Sequence, residues 1–149
     1  MKAKFIVLLS LILIVGQASA CSYIVQTQLS FESGSAALDR SQIIKLSEWL
    51  SRSYATFSIY TRASIEVGAS GSTPREGKAL AELRAANAAR ALRMLLRADL
   101  PVVTVSQAYP SPMNGFGESN DFASLQLYPD VKGLKLPDCN PVPISGSRQ

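Results

Sequence analysis

Two periods alternate along the chain. Val25, Thr27, Leu29 and Phe31 interleave with Ile24, Gln26, Gln28 and Ser30, a period of two that predicts a strand with one more apolar face. Glu32-Ser33-Gly34-Ser35 reads as a turn. Ile43, Leu46, Trp49 and Leu50 then recur at helical spacing, with Ile44 widening the stripe. Asp39 is a good N-cap for that helix, and Gln42 three residues on completes a capping-box pattern. The helix is expected to fade near Ser51 to Ser53. Alternation returns from Phe57 to Gly68. Phe57, Ile59, Thr61, Ala63, Ile65 and Val67 share one face; Ser58, Tyr60, Arg62, Ser64 and Glu66 take the other. The pattern fits one long strand, or a shorter one after an irregular lead-in. Pro101 to Ala108 and Phe122 to Leu127 read as two further strands.

The longest periodic stretch is Glu76 to Arg97, preceded by the small-residue loop Gly68 to Pro74. Glycine and serine in that loop permit tight backbone geometry and leave N–H groups near a helix start. At about 100° per residue, Leu80, Ala81, Ala85, Ala88, Ala91, Leu92 and Leu95 make one apolar stripe. Arg90, Arg93 and Arg97 fall opposite. Arg84 does not join them: it projects about 40° from Leu80, on the face that should pack. An unpaired buried charge is very costly, so Arg84 needs a carboxylate or an edge to snorkel to. An internal acid, for example Glu32 or Glu66, is one partner; a ligand carboxylate is the other. Pro101 stops the helix beyond Ala98 or Asp99.

The element order is β-α-β-α-β-β. Its economical packing is α+β, a two-layer sandwich with two helices on one face of a mixed four-stranded sheet and right-handed crossovers.

The 149-residue chain has room for one ordinary domain. Residues 1–20 change the picture. Lys2 and Lys4 precede an apolar run from Phe5 to Val15, broken by Ser10, and Ala18-Ser19-Ala20 is a small-residue cleavage site. This is a secretory signal, too short for a comfortable membrane span. The expected division is 1–20 signal peptide, 21–129 folded domain and 130–149 proline-rich tail. Cleavage removes two lysines and no acids, lowering the formal charge of +4 by two. No nucleic-acid footprint remains, and the helix arginines read as a solvated face. The only two cysteines are Cys21 and Cys139. Cys21 follows the cleavage site, where Ala-Ser-Ala-Cys resembles a bacterial lipobox, though Ala18 stands where leucine is usual. The other reading is a Cys21–Cys139 disulfide in an oxidising compartment, worth about 4–5 kcal/mol in the loop-entropy picture. A lipidated cysteine cannot also pair. The chain has no histidine, which removes the usual general base and the commonest metal ligand.

Leu29-Ser30-Phe31-Glu32-Ser33-Gly34-Ser35-Ala36-Ala37-Leu38 resembles the strand and turn that open the OmpA-like C-terminal domain, the peptidoglycan-associated fold of Gram-negative outer-membrane proteins and lipoproteins. Ile65-Glu66-Val67-Gly68 is similar to that family's second strand. Leu80-Ala81-Glu82-Leu83-Arg84-Ala85 resembles its L-S-x-x-R-A helix signature, and Asn120 to Leu127 falls where its last strand lies. The resemblance implies that Arg84 binds a diaminopimelate carboxylate of the peptidoglycan stem peptide, as a bidentate guanidinium suits. It also implies an aspartate in a G-H-T-D motif after the second strand. This chain reads Gly68-Ala69-Ser70-Gly71 there, with no aspartate between Ile65 and Glu76, and Gly77 stands where an asparagine is usual. The ligand site is therefore degenerate.

Ser70, Ser72 and Thr73 lack an activating base, and no acid–base pair or metal cluster is recognisable, so no enzyme, cofactor or metal is expected. Trp49 reads as core; Tyr109, Phe116 and Phe122 read as anchors of a loop or lining of a binding surface. Two functions stand. One is an exported peptidoglycan-binding module with Arg84 as its carboxylate ligand. The other is a structural or protein-interaction component of an envelope assembly. Either belongs in the periplasm or on the periplasmic face of the outer membrane of a Gram-negative bacterium, touching membrane only through a lipid on Cys21.

Overall fold

The computed structural model describes residues 23–109 and 120–136. One compact unit spans Tyr23–Leu134. The other, Met1–Ser22 with Lys135–Gln149, falls almost wholly outside the described residues, as do the leader, Cys21, Cys139, most of the tail, and Phe116. The first unit contains β1 (Val25–Ser30), α1 (Arg40–Thr56), β2 (Tyr60–Ser70), α2 (Pro74–Leu95), β3 (Val102–Tyr109) and β4 (Phe122–Pro129). The strands form one sheet in the order β1-β4-β2-β3. β4 runs antiparallel to both β1 and β2; β2 and β3 are parallel, joined through α2. This is the α+β architecture expected from the element order.

The core sits between the helices and one sheet face. Leu29, Ala63, Ile65, Val67, Ala123, Leu125 and Leu127 supply the sheet side, and Leu46, Trp49, Leu50 and Leu92 the helix side. Gly77, Ala81, Ala85, Ala88 and Ala89 are the buried small residues of α2, and they let its backbone come close to β2 and β3. Thr73 caps α2, its hydroxyl accepting the Glu76 N–H at 3.2 Å, with Pro74 at the first helical position.

Three local details differ from the sequence pattern. α1 does not fade at Ser51–Ser53 but continues to Thr56. Ser53 is buried: its hydroxyl donates to the Trp49 carbonyl at 2.7 Å, and its own carbonyl accepts the Tyr60 hydroxyl at 2.7 Å. β2 starts at Tyr60, and a register shift against β4 between Tyr60 and Arg62 breaks the alternation. Tyr60 is therefore buried beside Tyr54 and Phe57, while Ile59 is 62% exposed. Third, Asp39 does cap α1, accepting the Gln42 N–H at 2.9 Å and the Ser41 hydroxyl at 2.6 Å. Gln42, however, does not reach back to Asp39. Its side-chain Oε1 accepts the Ser30 N–H at 2.9 Å and ties the start of α1 to the end of β1.

The bonds from Ser41 and then Gln42 hold the Asp39 carboxyl below its ordinary 3.8. A carboxyl lowered on folding contributes stability that is present above its unfolded value and lost as pH falls through its folded value. Asp39→Asn keeps a capping oxygen without the titration. The urea midpoints of wild type and variant are expected to differ by a constant amount from neutrality to about pH 4, then converge at lower pH. A gap that stays constant throughout the acid range contradicts this.

Candidate functional site

The turn after β1 is built around one backbone requirement. The Ser35 N–H donates to the Glu32 carbonyl at 3.0 Å, and Gly34 has φ +73°, the geometry of a type II turn with glycine at its third position. The turn leaves the Glu32 and Ser35 carbonyls pointing toward α2.

Arg84 meets them there. It is completely buried, the largest of the fully buried side chains among the described residues. Nε donates to the Ser35 carbonyl at 2.7 Å and Nη2 to the Glu32 carbonyl at 2.9 Å. Nη1 donates to the Gly68 carbonyl at 3.1 Å and to Asp121 Oδ1 at 2.6 Å. Four of the five guanidinium N–H groups are thus used. The Phe31 ring lies 4.8 Å from the guanidinium carbon and covers one face. Asn87, one turn on, donates to the Ala36 carbonyl at 2.7 Å and also accepts from Arg90, so the same loop is held at two levels of α2.

Each partner follows from the topology. Gly68 lies one residue beyond the last β2–β4 pair, Val67 with Ala123, so its carbonyl accepts from Arg84 instead of a strand neighbour. Asp121 immediately precedes β4, which enters the sheet between β1 and β2 and brings the carboxylate to this end. The Phe31 N–H donates to the Asp121 carbonyl at 2.9 Å, so backbone and side chain of Asp121 both join β1 or α2 to β4. A single side chain therefore links α2 to the β1 turn, β2 and the lead-in to β4.

The helical projection placed Arg84 on the packed face, and it is there. The projection calls for a carboxylate or an edge to snorkel to; the structure supplies a carboxylate, and it is Asp121, 14% exposed, instead of Glu32 or Glu66. Glu32 contributes its backbone carbonyl, while Glu66 projects from the sheet face that carries no helices. Periodicity shows that an arginine needs an acid; only the strand order shows which acid arrives.

On that open face, Gly68 is covered by the rings of Tyr109 and Phe122, whose centroids are 6.2 Å apart and tilted at 44°. The two aromatics close over β2. Gly77 is also buried, with Ala108 and the Gly71 backbone against the place a side chain would fill. Among the described residues no cluster of three or more His, Cys, Asp or Glu could hold a metal, and no helix is long and apolar enough to cross a membrane.

No family model and no curated protein matches the sequence. Solved structures do match in shape. The OmpA-like domain of FopA1 from Francisella tularensis subsp. tularensis SCHU S4 superposes with a TM-score of 0.52 at 13% identity, over 71% of this chain and 73% of that one. The fold is OmpA-like. The peptidoglycan-associated lipoprotein from Burkholderia pseudomallei gives a TM-score of 0.48 at 19% identity, over 67% of this chain and 88% of its own. The periplasmic domain of Helicobacter pylori MotB gives 0.46 at 14%, over 74% and 76%. At these identities the OmpA-like likeness concerns the fold and not the chemistry.

Proposed function

We propose that this chain is an exported cell-envelope domain that serves as a structural or protein-interaction component, with the carboxylate position at Arg84 filled from within by Asp121. The observation that carries this reading is the complete burial of Arg84 together with its four internal acceptors. A ligand carboxylate would have to displace Asp121 and reach a guanidinium that has no exposed surface. The leader-like residues 1–20 support export, and the OmpA-like fold supports an envelope setting. Cys21 is then the site of lipid attachment or the partner of Cys139.

Peptidoglycan binding through Arg84 is the second reading. It is favoured by the position of Arg84 in a Leu-Ala-Glu-Leu-Arg-Ala stretch on this fold. Co-sedimentation of the secreted chain with purified diaminopimelate-type peptidoglycan separates the two. The expected result is that the protein stays in the supernatant. Co-sedimentation would overturn the first reading. If Arg84→Lys then abolished binding with an unchanged circular dichroism spectrum, the contact would be assigned to Arg84.

A further inference from the structure

Among the described residues, β1 and β3 are the two edges of the sheet. Unpaired edge backbone is a ready template for another strand, and proteins usually block it. On β1 the outward Ser30 N–H is taken by Gln42. On β3 the Ala63 N–H donates to the Pro101 carbonyl, with Ala63 opposite Val102 in parallel register. Odd-numbered residues from Pro101 therefore aim their backbone groups at β2, while Val102, Thr104 and Ser106 aim theirs outward. Lys78 closes part of this edge: its ammonium donates to the Ser106 carbonyl at 3.0 Å and to the Ser106 hydroxyl at 3.2 Å. Among the described residues, Val102 and Thr104 have no such cover. Beside them on the open face, Val103 is 57% exposed and Val105 51%. No charged residue occurs from Leu100 to Tyr109.

We propose that β3 pairs antiparallel with β3 of a second copy of this chain, about a two-fold axis through Val103. In that register Val102 and Thr104 exchange their N–H and carbonyl groups with Thr104 and Val102 of the other copy, a four-bond ladder that leaves the Lys78 cap intact. Val103 meets its own counterpart at a non-hydrogen-bonded position, where side chains lie closest. Lys78, placed over Ser106 and paired on its own helix with Glu82 at 3.7 Å, comes opposite Leu100 and Asp99 of the second copy, so its ammonium lies between the Glu82 carboxylate and the exposed Asp99 carboxylate of that copy. The charge-free strand brings no like charges together. Four bonds alone hold a lone peptide poorly; a second copy adds the valine contact and two symmetric Lys78–Asp99 pairs. The contact is isologous, so it closes as a dimer.

Sedimentation velocity of the purified full chain over a wide concentration range is expected to show a reversible monomer–dimer equilibrium. Thr104→Pro removes an outward N–H and so leaves the monomer's own ladder intact. It deletes two bonds per dimer and should raise the dissociation constant about thirtyfold. Lys78→Glu should weaken the dimer, and adding Asp99→Lys should restore it. Val103→Cys should oxidise to a covalent dimer faster than Gln26→Cys on β1, both carrying the same native cysteines. A chain that stays monomeric throughout, with no cross-link at Val103, overturns the proposal and leaves the edge to a different strand. A dimer indifferent to Thr104→Pro overturns it as well.

Discussion

Arg84→Ala is expected to unfold the domain instead of emptying a surface site. The substitution removes the guanidinium from the Asp121 carboxylate, which is 14% exposed, and takes the side-chain donor from the Ser35 and Gly68 carbonyls, while the Glu32 carbonyl keeps the Ser35 N–H. Removing one partner of a buried ion pair costs about 3–5 kcal/mol, because the other charge stays behind. Each carbonyl left without its donor adds to that loss, by about 1–3 kcal/mol where no water reaches it. Native domains are stable by only about 5–15 kcal/mol, so a loss at or above 5 leaves much of the population unfolded. Urea titration followed by far-UV circular dichroism measures it directly. Arg93→Ala, on the exposed side of the same helix, is the control and should move stability by less than about 0.5 kcal/mol.

Two further variants test why arginine is used. Arg84→Lys keeps the charge but offers a compact point donor to four acceptors arranged around a planar fork, and should recover only part of the loss. Arg84→Met combined with Asp121→Asn removes both charges and should be less damaging than Arg84→Ala alone, since no uncompensated carboxylate remains. If Arg84→Ala costs less than about 1 kcal/mol, Arg84 is not the tie described here, and an exchangeable guanidinium becomes the better description.

Much of this arrangement is legible in the sequence because it is set by period. Alternation through Val25–Ser30 and Ile65–Val67, the N-cap at Asp39 and the alanine-rich stripe of α2 are local signals, and the folded chain follows them. The inward placement of Arg84 is equally local, a matter of four residues from Leu80. What is not local is hidden. Gln42 looks like a capping-box partner, yet it is used by Ser30 because β1 ends beside the start of α1. Ser53 looks like a helix end, but Tyr60 returns to bond its carbonyl. The register shift at Tyr60 reverses which residues face inward, and nothing in FSIYTRASIEVG marks it. Asp121 lies 37 residues from Arg84 and reaches it only because β4 is inserted between β1 and β2.

The same insertion makes Gly68 the second position of large effect. A Cβ placed there would lie 2.6 Å from the Asn120 carbonyl oxygen, 2.7 Å from Cε1 of Phe122 and 2.9 Å from Cε2 of Tyr109. The two rings can turn aside. The Asn120 carbonyl is backbone, and the next residue is anchored by the Phe31 N–H on its carbonyl and by Arg84 on its carboxylate. Gly68→Ala should therefore cost about 3 kcal/mol, the upper end for forcing a methyl into a packed interior. Shortening a ring, as in Phe122→Leu, should rescue only the side-chain share, because the carbonyl contact remains. The Gly68 carbonyl also accepts from Arg84, so a shift of β2 at this point lengthens the Nη1 bond. Residues that share a partner are coupled. The loss in the Gly68→Ala, Arg84→Lys double variant should fall short of the sum of the two single losses. Full additivity in urea unfolding would separate the two positions. It would mean that the backbone accommodates the methyl without disturbing the guanidinium, contrary to the geometry of this strand end.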